Sequence, residues 1–176
     1  MGLAGGLLRT GIASGELLHL TVGAVDFAGG LVWIRDDDGG EDGWSVKTAS
    51  RRRAVELPPA LEADLSSLCA GRRPTEFLFV QPAACGARPG RPGTPRSATW
   101  LRQHVQRVCR LAEVRVVPPH GLRDTHASVL RALHRKTACE IGDVLGHADH
   151  GVTARRHYIG APDVVPSLEP PVATEA

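Results

Sequence analysis

The chain has 176 residues, 42% of them hydrophobic and 23% charged, which suits one globular domain, leaves two full domains cramped and sets the chain apart from disordered ones. No apolar run approaches the roughly 20 residues that span a bilayer. The stretch at Leu7 and Leu8 lacks the basic flank and cleavage site of an export signal, so a cytoplasmic protein without membrane contact is expected. The net charge of +2 is unevenly placed: residues 88 to 136 hold ten Arg and one Lys against Glu113 and Asp124, net +9, which leaves −7 elsewhere. Such segregation suits a polyanion, DNA or RNA, although a solvated basic face gives the same count.

Taken in chain order, the residues up to about Leu20 read as a helix, a turn at Thr10-Gly11 and a second helix. From 21 to 58 the period changes to short β-favourable runs: Val22 to Phe27, Leu31 to Ile34, Ser45 to Lys47 and Ala54 to Leu57, separated by Gly and Asp clusters. They predict a three-stranded antiparallel meander, with acidic Asp36 to Gly43 as its first connection and Thr48 to Arg53 as a tight basic turn. Pro59 starts a helix with Leu61, Leu65 and Leu68 on one face. A strand-like FLFV follows from Phe77, then an exposed Pro, Gly and Arg-rich loop over residues 82 to 96. Ser97 caps an amphipathic helix whose apolar stripe is Leu101, Val105, Val108 and Ala112, and whose other faces carry Arg102, Arg107 and Arg110.

Two further helices are expected at 121 to 134 and 137 to 146. The domain is expected to run from residue 1 to 162, followed by a disordered Pro- and Ala-rich tail at 163 to 176. Cys69, Cys85, Cys109 and Cys139 are far apart with no C-x-x-C pair. They read as reduced core residues, not as a disulfide framework or a metal site.

The residues that invite chemistry are Lys47 in its turn, the pair His120 and Arg123, His147, and Tyr158, the single tyrosine of the chain. Each alone is ordinary. A lone histidine is more often a surface or capping residue, and an H-x-x-R pair arises by chance in many chains. Their company is a basic helix face, and that context singles them out.

In order along the chain, these motifs resemble the tyrosine recombinases, or phage integrases, specifically their C-terminal catalytic domain, from about Leu7 to Ile159. "TGIASGELLHLTVGAVDF" is similar to the box around the family's first catalytic arginine. "VKTASRRRAVELPP" is similar to the β-hairpin that carries the catalytic lysine, which implies that role for Lys47. "PHGLRDTHASVL" is similar to the H-x-x-R box, implying His120 and Arg123, and "VLGHADHGVTARRHY" to the closing box, implying His147 and the nucleophile Tyr158. Three departures stand beside these matches. Ala13 occupies the place of the first catalytic arginine, while Glu16 and its neighbours match. The step from His147 to Tyr158 is a residue or two longer than the commonest family form. The chain also starts almost at the first motif, so a truncated product without the family's N-terminal domain is expected.

The resemblance implies an α+β fold: a mostly helical catalytic domain with a small three-stranded antiparallel sheet. It implies DNA integration or site-specific recombination on double-stranded DNA, with other recombinase subunits as partners. Tyr158 would attack a phosphodiester to form a 3′-phosphotyrosyl bond and expel a 5′-hydroxyl. The bond energy is retained, so neither ATP nor another cofactor or metal is expected. A free phenol has a pKa of about 10, so attack near neutrality needs a base or a cationic pocket. Arginines clamp two phosphate oxygens at once, and a lysine on a hairpin can protonate the leaving alkoxide. Arg51, Arg53, Arg102, Arg107 and Arg110 are expected to contact DNA phosphates with little reading of sequence. Lys47, His120, Arg123 and His147 are expected to converge on one cleft. With Ala13 unable to hold phosphate, and Arg9 cut off from the role by the Thr10-Gly11 break, the enzyme's activity is in question. The competing expectations are a catalytically degenerate DNA-binding remnant and an ordinary RNA-binding module.

Overall fold

The computed structural model describes residues 2–36, 44–81, 93–149 and 151–154. Helix α1 (Gly2–Thr10) and the short α2 (Ser14–Leu18) are separated by Gly11, whose φ of 64° is the left-handed region. A side chain at Gly11 would meet the His126 ring at 2.5 Å, so only glycine fits there.

Strands β1 (Val25–Asp26), β2 (Leu31–Ile34) and β3 (Arg53–Glu56) form the expected antiparallel meander in the order β1-β2-β3. Val25 pairs with Val32, and Val32 with Val55. Val32, Ile34 and Val55 are buried while Trp33, Ala54 and Glu56 point outward, the period-two signature of a sheet with one wet face. The β1–β2 connection is a tight turn in which the Asp26 carboxylate accepts the Gly29 amide at 2.8 Å. Residues 37 to 43 of the expected acidic connection lie outside the described residues, and that stretch falls between β2 and β3, not first in the meander.

Ser45 to Lys47 is not a strand. The Val46 amide donates to the Asp36 side chain at 2.8 Å, and Trp44 stacks on His19 with ring centroids 4.7 Å apart. Its backbone is thus held by side chains instead of a ladder, and residues 53–56 take the third place in the sheet. The stretch from Phe77 contributes isolated bridges, Thr21 to Phe77 and Val80 to Pro95, instead of a strand.

Helix α3 (Pro59–Cys69) opens on Pro59, and α4 (Ala98–Leu111) on Ser97, whose hydroxyl accepts the Trp100 amide at 3.1 Å. The buried stripe of α4 is Leu101, Val105 and Cys109. Val108 is exposed because a residue adjacent to Cys109 on a helix is rotated about 100° away from it, and Ala112 is exposed as the cap residue past the end of α4. Arg102, Arg107 and Arg110 do point outward.

Helix α5 (Pro119–Ala132) buries Ala127 and, one turn earlier, Arg123. Helix α6 (Ala138–Leu145) begins with a reciprocal cap between Thr137 and Glu140, and the single turn α7 (Val152–Ala154) closes the described chain. Of the described cysteines, Cys109 is buried, Cys69 half-buried and Cys139 exposed, so the expectation of core thiols holds fully only for Cys109. Cys85 and the expected tail at 163 to 176 lie outside the described residues. Among the described residues no helix is long and apolar enough to cross a membrane.

The core divides in two. A large cluster joins α1, α2, the sheet, α3 and α4, and a small one joins Ala127, Ala138, Ile141, Leu145 and Ala154. The buried charges Glu16 and Arg123 belong to neither cluster.

Candidate active site

Arg123 bridges the two clusters. Its guanidinium donates through Nη1 to the carbonyl of Gly11, beside the large cluster, and through Nη2 to that of Leu145 at 2.6 Å, in the small one. A cation without an acceptor would be costly at 3% exposure, and these carbonyls are placed at the ends of α1 and α6, where helices leave acceptors unsatisfied.

Glu16 is the matching anion. It is 3% exposed and takes the Ala13 amide on Oε2 at 2.9 Å, which ties it to the start of its own helix. Arg53 reaches it with Nη2 at 3.1 Å, and Arg51 with Nη1 at 3.1 Å. Burial pushes its carboxyl up, but the Arg53 hydrogen bond and charge, the Ala13 amide and the Arg123 charge outweigh that and hold it below the ordinary carboxylate range.

The end of α6 is the meeting point. Three successive carbonyls there receive donors from different parts of the chain: Val144 from Arg53 Nε at 2.8 Å, Leu145 from Arg123, and Gly146 from the Ser50 hydroxyl at 3.3 Å. Gly146 ends the helix at φ 71°, and the His147 amide then donates back to Gly142 at 2.8 Å. This is the Schellman closure that the Leu-Gly-His step encodes. A side chain at Gly146 would lie 2.9 Å from Arg53 Nη1 and 3.2 Å from the Arg51 Cα, so glycine also lets the β2–β3 connection close on this turn.

His147 is therefore fixed at the backbone beside Arg51, Arg53 and Arg123. Its Nδ1 is buried with no hydrogen-bond partner among the described residues, as is Oδ1 of Asp149. Burial, then the Arg123 charge, pushes the imidazole below the ordinary histidine range, with Arg51 and Arg53 adding to the effect and Asp149 opposing it. Burial likewise lowers His126, whose Nδ1 lies 3.0 Å from the Leu8 carbonyl.

Of the residues singled out from the sequence, the structure thus brings Arg123, His147, Arg51 and Arg53 together. His120 is exposed at the start of α5, one turn before Arg123, with Nε2 3.4 Å from Asp124 Oδ1. Lys47 is exposed, three residues before Ser50, and makes no hydrogen bond or ion pair among the described residues. Tyr158 lies outside the described residues. Arg51 and Arg53, expected among the phosphate contacts, both reach the buried Glu16 carboxylate, Arg53 more deeply than Arg51. The sequence carried no role for Glu16, Ser50 or Asp149. Glu16 could have been found from its spacing: three residues after the N-cap is where a carboxylate accepts the cap amide. Among the described residues no cluster of three or more metal-ligating side chains occurs.

The model of the phage integrase family matches residues 3–162, and the chain belongs to that family. Solved structures of the same fold include XerA recombinase, at TM-score 0.65 and 20% identity over 90% of this chain and 50% of that one. The Tn1549 transposon integrase in complex with circular intermediate DNA is similar at TM-score 0.64 and 18% identity, covering 86% of this chain and 52% of that one. XerH site-specific recombinase bound to difH substrate in a pre-cleavage complex follows at TM-score 0.59 and 22% identity, covering 88% and 41%. The chain spans about half the length of these proteins. No curated protein matches it significantly.

Proposed function

We propose that this chain is a catalytic domain of a tyrosine recombinase, acting on double-stranded DNA in integration or site-specific recombination, with residues 1–162 as that domain. The observation that carries the reading is the convergence at the end of α6: side chains from the β2–β3 connection and α5 meet beside His147 and gather positive charge of the kind that stabilises a phosphate. Family membership supports it, as does the basic face of α4, where Arg102, Arg107 and Arg110 supply backbone contacts that need no base reading.

In this reading Tyr158 is the nucleophile and leaves a 3′-phosphotyrosyl bond and a 5′-hydroxyl. His147, neutral in the resting pocket, offers a ring nitrogen to the phosphate or to the phenol proton, and Arg123 holds the floor of the pocket and the position of the His147 turn. Lys47 protonates the leaving oxygen, from a connection whose end is already anchored on Gly146. His120 assists from the mouth of the site. Arg123 is 3% exposed, so its contact with DNA requires the surrounding chain to open. Recombinase subunits would bind as further copies around the DNA.

The test is covalent capture. The chain is incubated with a pool of nicked duplexes of mixed sequence, alongside Tyr158→Phe and Ala13→Arg variants, and adducts are resolved on a denaturing gel. An adduct from the unmodified chain, absent with Tyr158→Phe and more abundant with Ala13→Arg, is expected. DNA binding without any adduct from either tyrosine-containing form would instead make the chain a silent binding remnant.

A further inference from the structure

Three guanidinium groups, of Arg51, Arg53 and Arg123, share this pocket with two carboxylates, of Glu16 and Asp149, so it keeps a net positive charge beside His147. The three arginines are not equivalent. Arg53 directs Nε to Val144, Nη1 to the Arg51 carbonyl at 3.0 Å and Nη2 to Glu16, at 9% side-chain exposure. Arg123 binds the carbonyls of Gly11 and Leu145 and is deeper still. Arg51 is 25% exposed and makes one side-chain hydrogen bond among the described residues, from Nη1 to Glu16 Oε1. Among the described residues its Nε and Nη2 make no hydrogen bond. The next residue, Arg52, is more exposed, but its Nε and Nη2 are both held by Asp36 on the other side of the connection.

We propose that Arg51 is the phosphate-binding guanidinium of this site: Nη1 stays on Glu16, which orients the group, while Nε and Nη2 take two oxygens of a DNA phosphate beside His147. The inference rests on the DNA reading above and deepens it. It gives the site a guanidinium for the anion, where Ala13 offers none. The Ala13 amide and Arg51 Nη1 share the two oxygens of one carboxylate, so the Arg51 guanidinium lies next to the start of α2. Planar, bidentate donation explains why an arginine serves here better than a lysine.

The test separates this inference from the reading it rests on. The full chain and its Arg51→Ala, Arg51→Lys and Arg52→Ala variants are titrated with inorganic phosphate, followed by NMR of the His147 ring and arginine Nε–H signals. The same proteins are titrated with a mixed-sequence duplex, and thermal melts check the fold. Phosphate should shift the Arg51 and His147 signals together. Arg51→Ala should weaken phosphate binding about tenfold, the scale of a charge-assisted contact, Arg51→Lys less, and Arg52→Ala not at all. Arg51→Lys keeps a cation for Glu16, so a loss of bidentate binding in that folded variant still reports on the contact if Arg51→Ala unfolds. Unchanged phosphate affinity in folded Arg51 variants overturns the proposal, and retained duplex binding then leaves the DNA reading standing. Arg51-dependent phosphate binding with no duplex binding at low salt keeps the anion contact and overturns the DNA reading. Loss of both ligands in the unmodified chain overturns both.

Discussion

Arg123 and Leu145 are joined at 2.6 Å, side chain to backbone, two residues before His147. The contact makes one arginine responsible for two things: the junction between the core clusters and the placement of the turn that carries His147. A neutral side chain at 123 would leave two buried helix-end carbonyls without donors. Arg123→Ala should therefore cost about 3 to 5 kcal/mol of stability, the scale for one half of a buried charged network. Urea melts measure it, and a loss below about 1 kcal/mol, the surface scale, would contradict the structural role.

The Glu16–Arg53 pair makes a separate prediction. Arg53→Ala leaves the buried carboxylate with Arg51 as its one ion-pair partner among the described residues, and should destabilise more than Arg52→Ala, whose partner Asp36 is near the surface. Because the folded-state carboxyl of Glu16 is lowered, its stabilisation is complete above the ordinary carboxylate range and is lost as pH falls through the lowered value. Denaturant midpoints measured down through acid pH should fall less steeply in Glu16→Gln than in the unmodified chain. Parallel slopes would show that Glu16 does not titrate with folding.

How much of this was legible in the sequence depends on which force decided each feature. Helices α3 to α6 follow from apolar spacing and caps that act within a turn or two, so Pro59, Ser97 and Thr137 mark their starts plainly. The Leu-Gly-His step likewise carries its own turn geometry. The Ser45 to Lys47 run failed as a strand where the Val46 amide goes to a side chain ten residues back, a contact no local period reveals. The reach of Arg51 and Arg53 to Glu16 was hidden for a related reason. It depends on Glu16 being buried, and a capping glutamate looks the same in sequence whether it faces water or a core. The basic patch predicted a polyanion but could not say which arginines belong to the fold.

Gly146 tests the closure of the site. Gly146→Ala puts a side chain at positive φ and within 2.9 Å of Arg53 Nη1. A left-handed residue with a Cβ costs about 1 to 2 kcal/mol before any clash, so the variant should lose at least that and shift the His147 ring signals. A neutral effect would mean the β2–β3 connection does not press on this turn.

His147 gives a pH signature. Burial, then the positive charge of Arg123, keeps its ring neutral, whereas a phosphate beside it favours the imidazolium. Binding of inorganic phosphate or duplex should therefore raise its pKa, and affinity should strengthen as pH falls through the histidine range. His126 also faces Arg123 and is also lowered, so the ring signals are assigned with His147→Asn and His126→Asn. Phosphate affinity that is flat with pH in the unmodified chain would remove His147 from the anion's surroundings.

On the face of α4, Arg102→Ala, Arg107→Ala and Arg110→Ala should each weaken duplex binding by a similar factor for every sequence. Removing one arginine from a DNA phosphate should reduce the slope of log affinity against log salt by about 0.9. An unchanged slope in the triple variant would place the DNA on another surface.

The most direct measurement is a structure of the chain with duplex DNA, solved at low salt. A backbone phosphate is expected at the end of α6, with oxygens in hydrogen-bond reach of Arg51 and His147 and with Arg123 still on Leu145, while α4 lies along the flanking backbone. DNA bound on a face that leaves the His147 turn in solvent would contradict this placement.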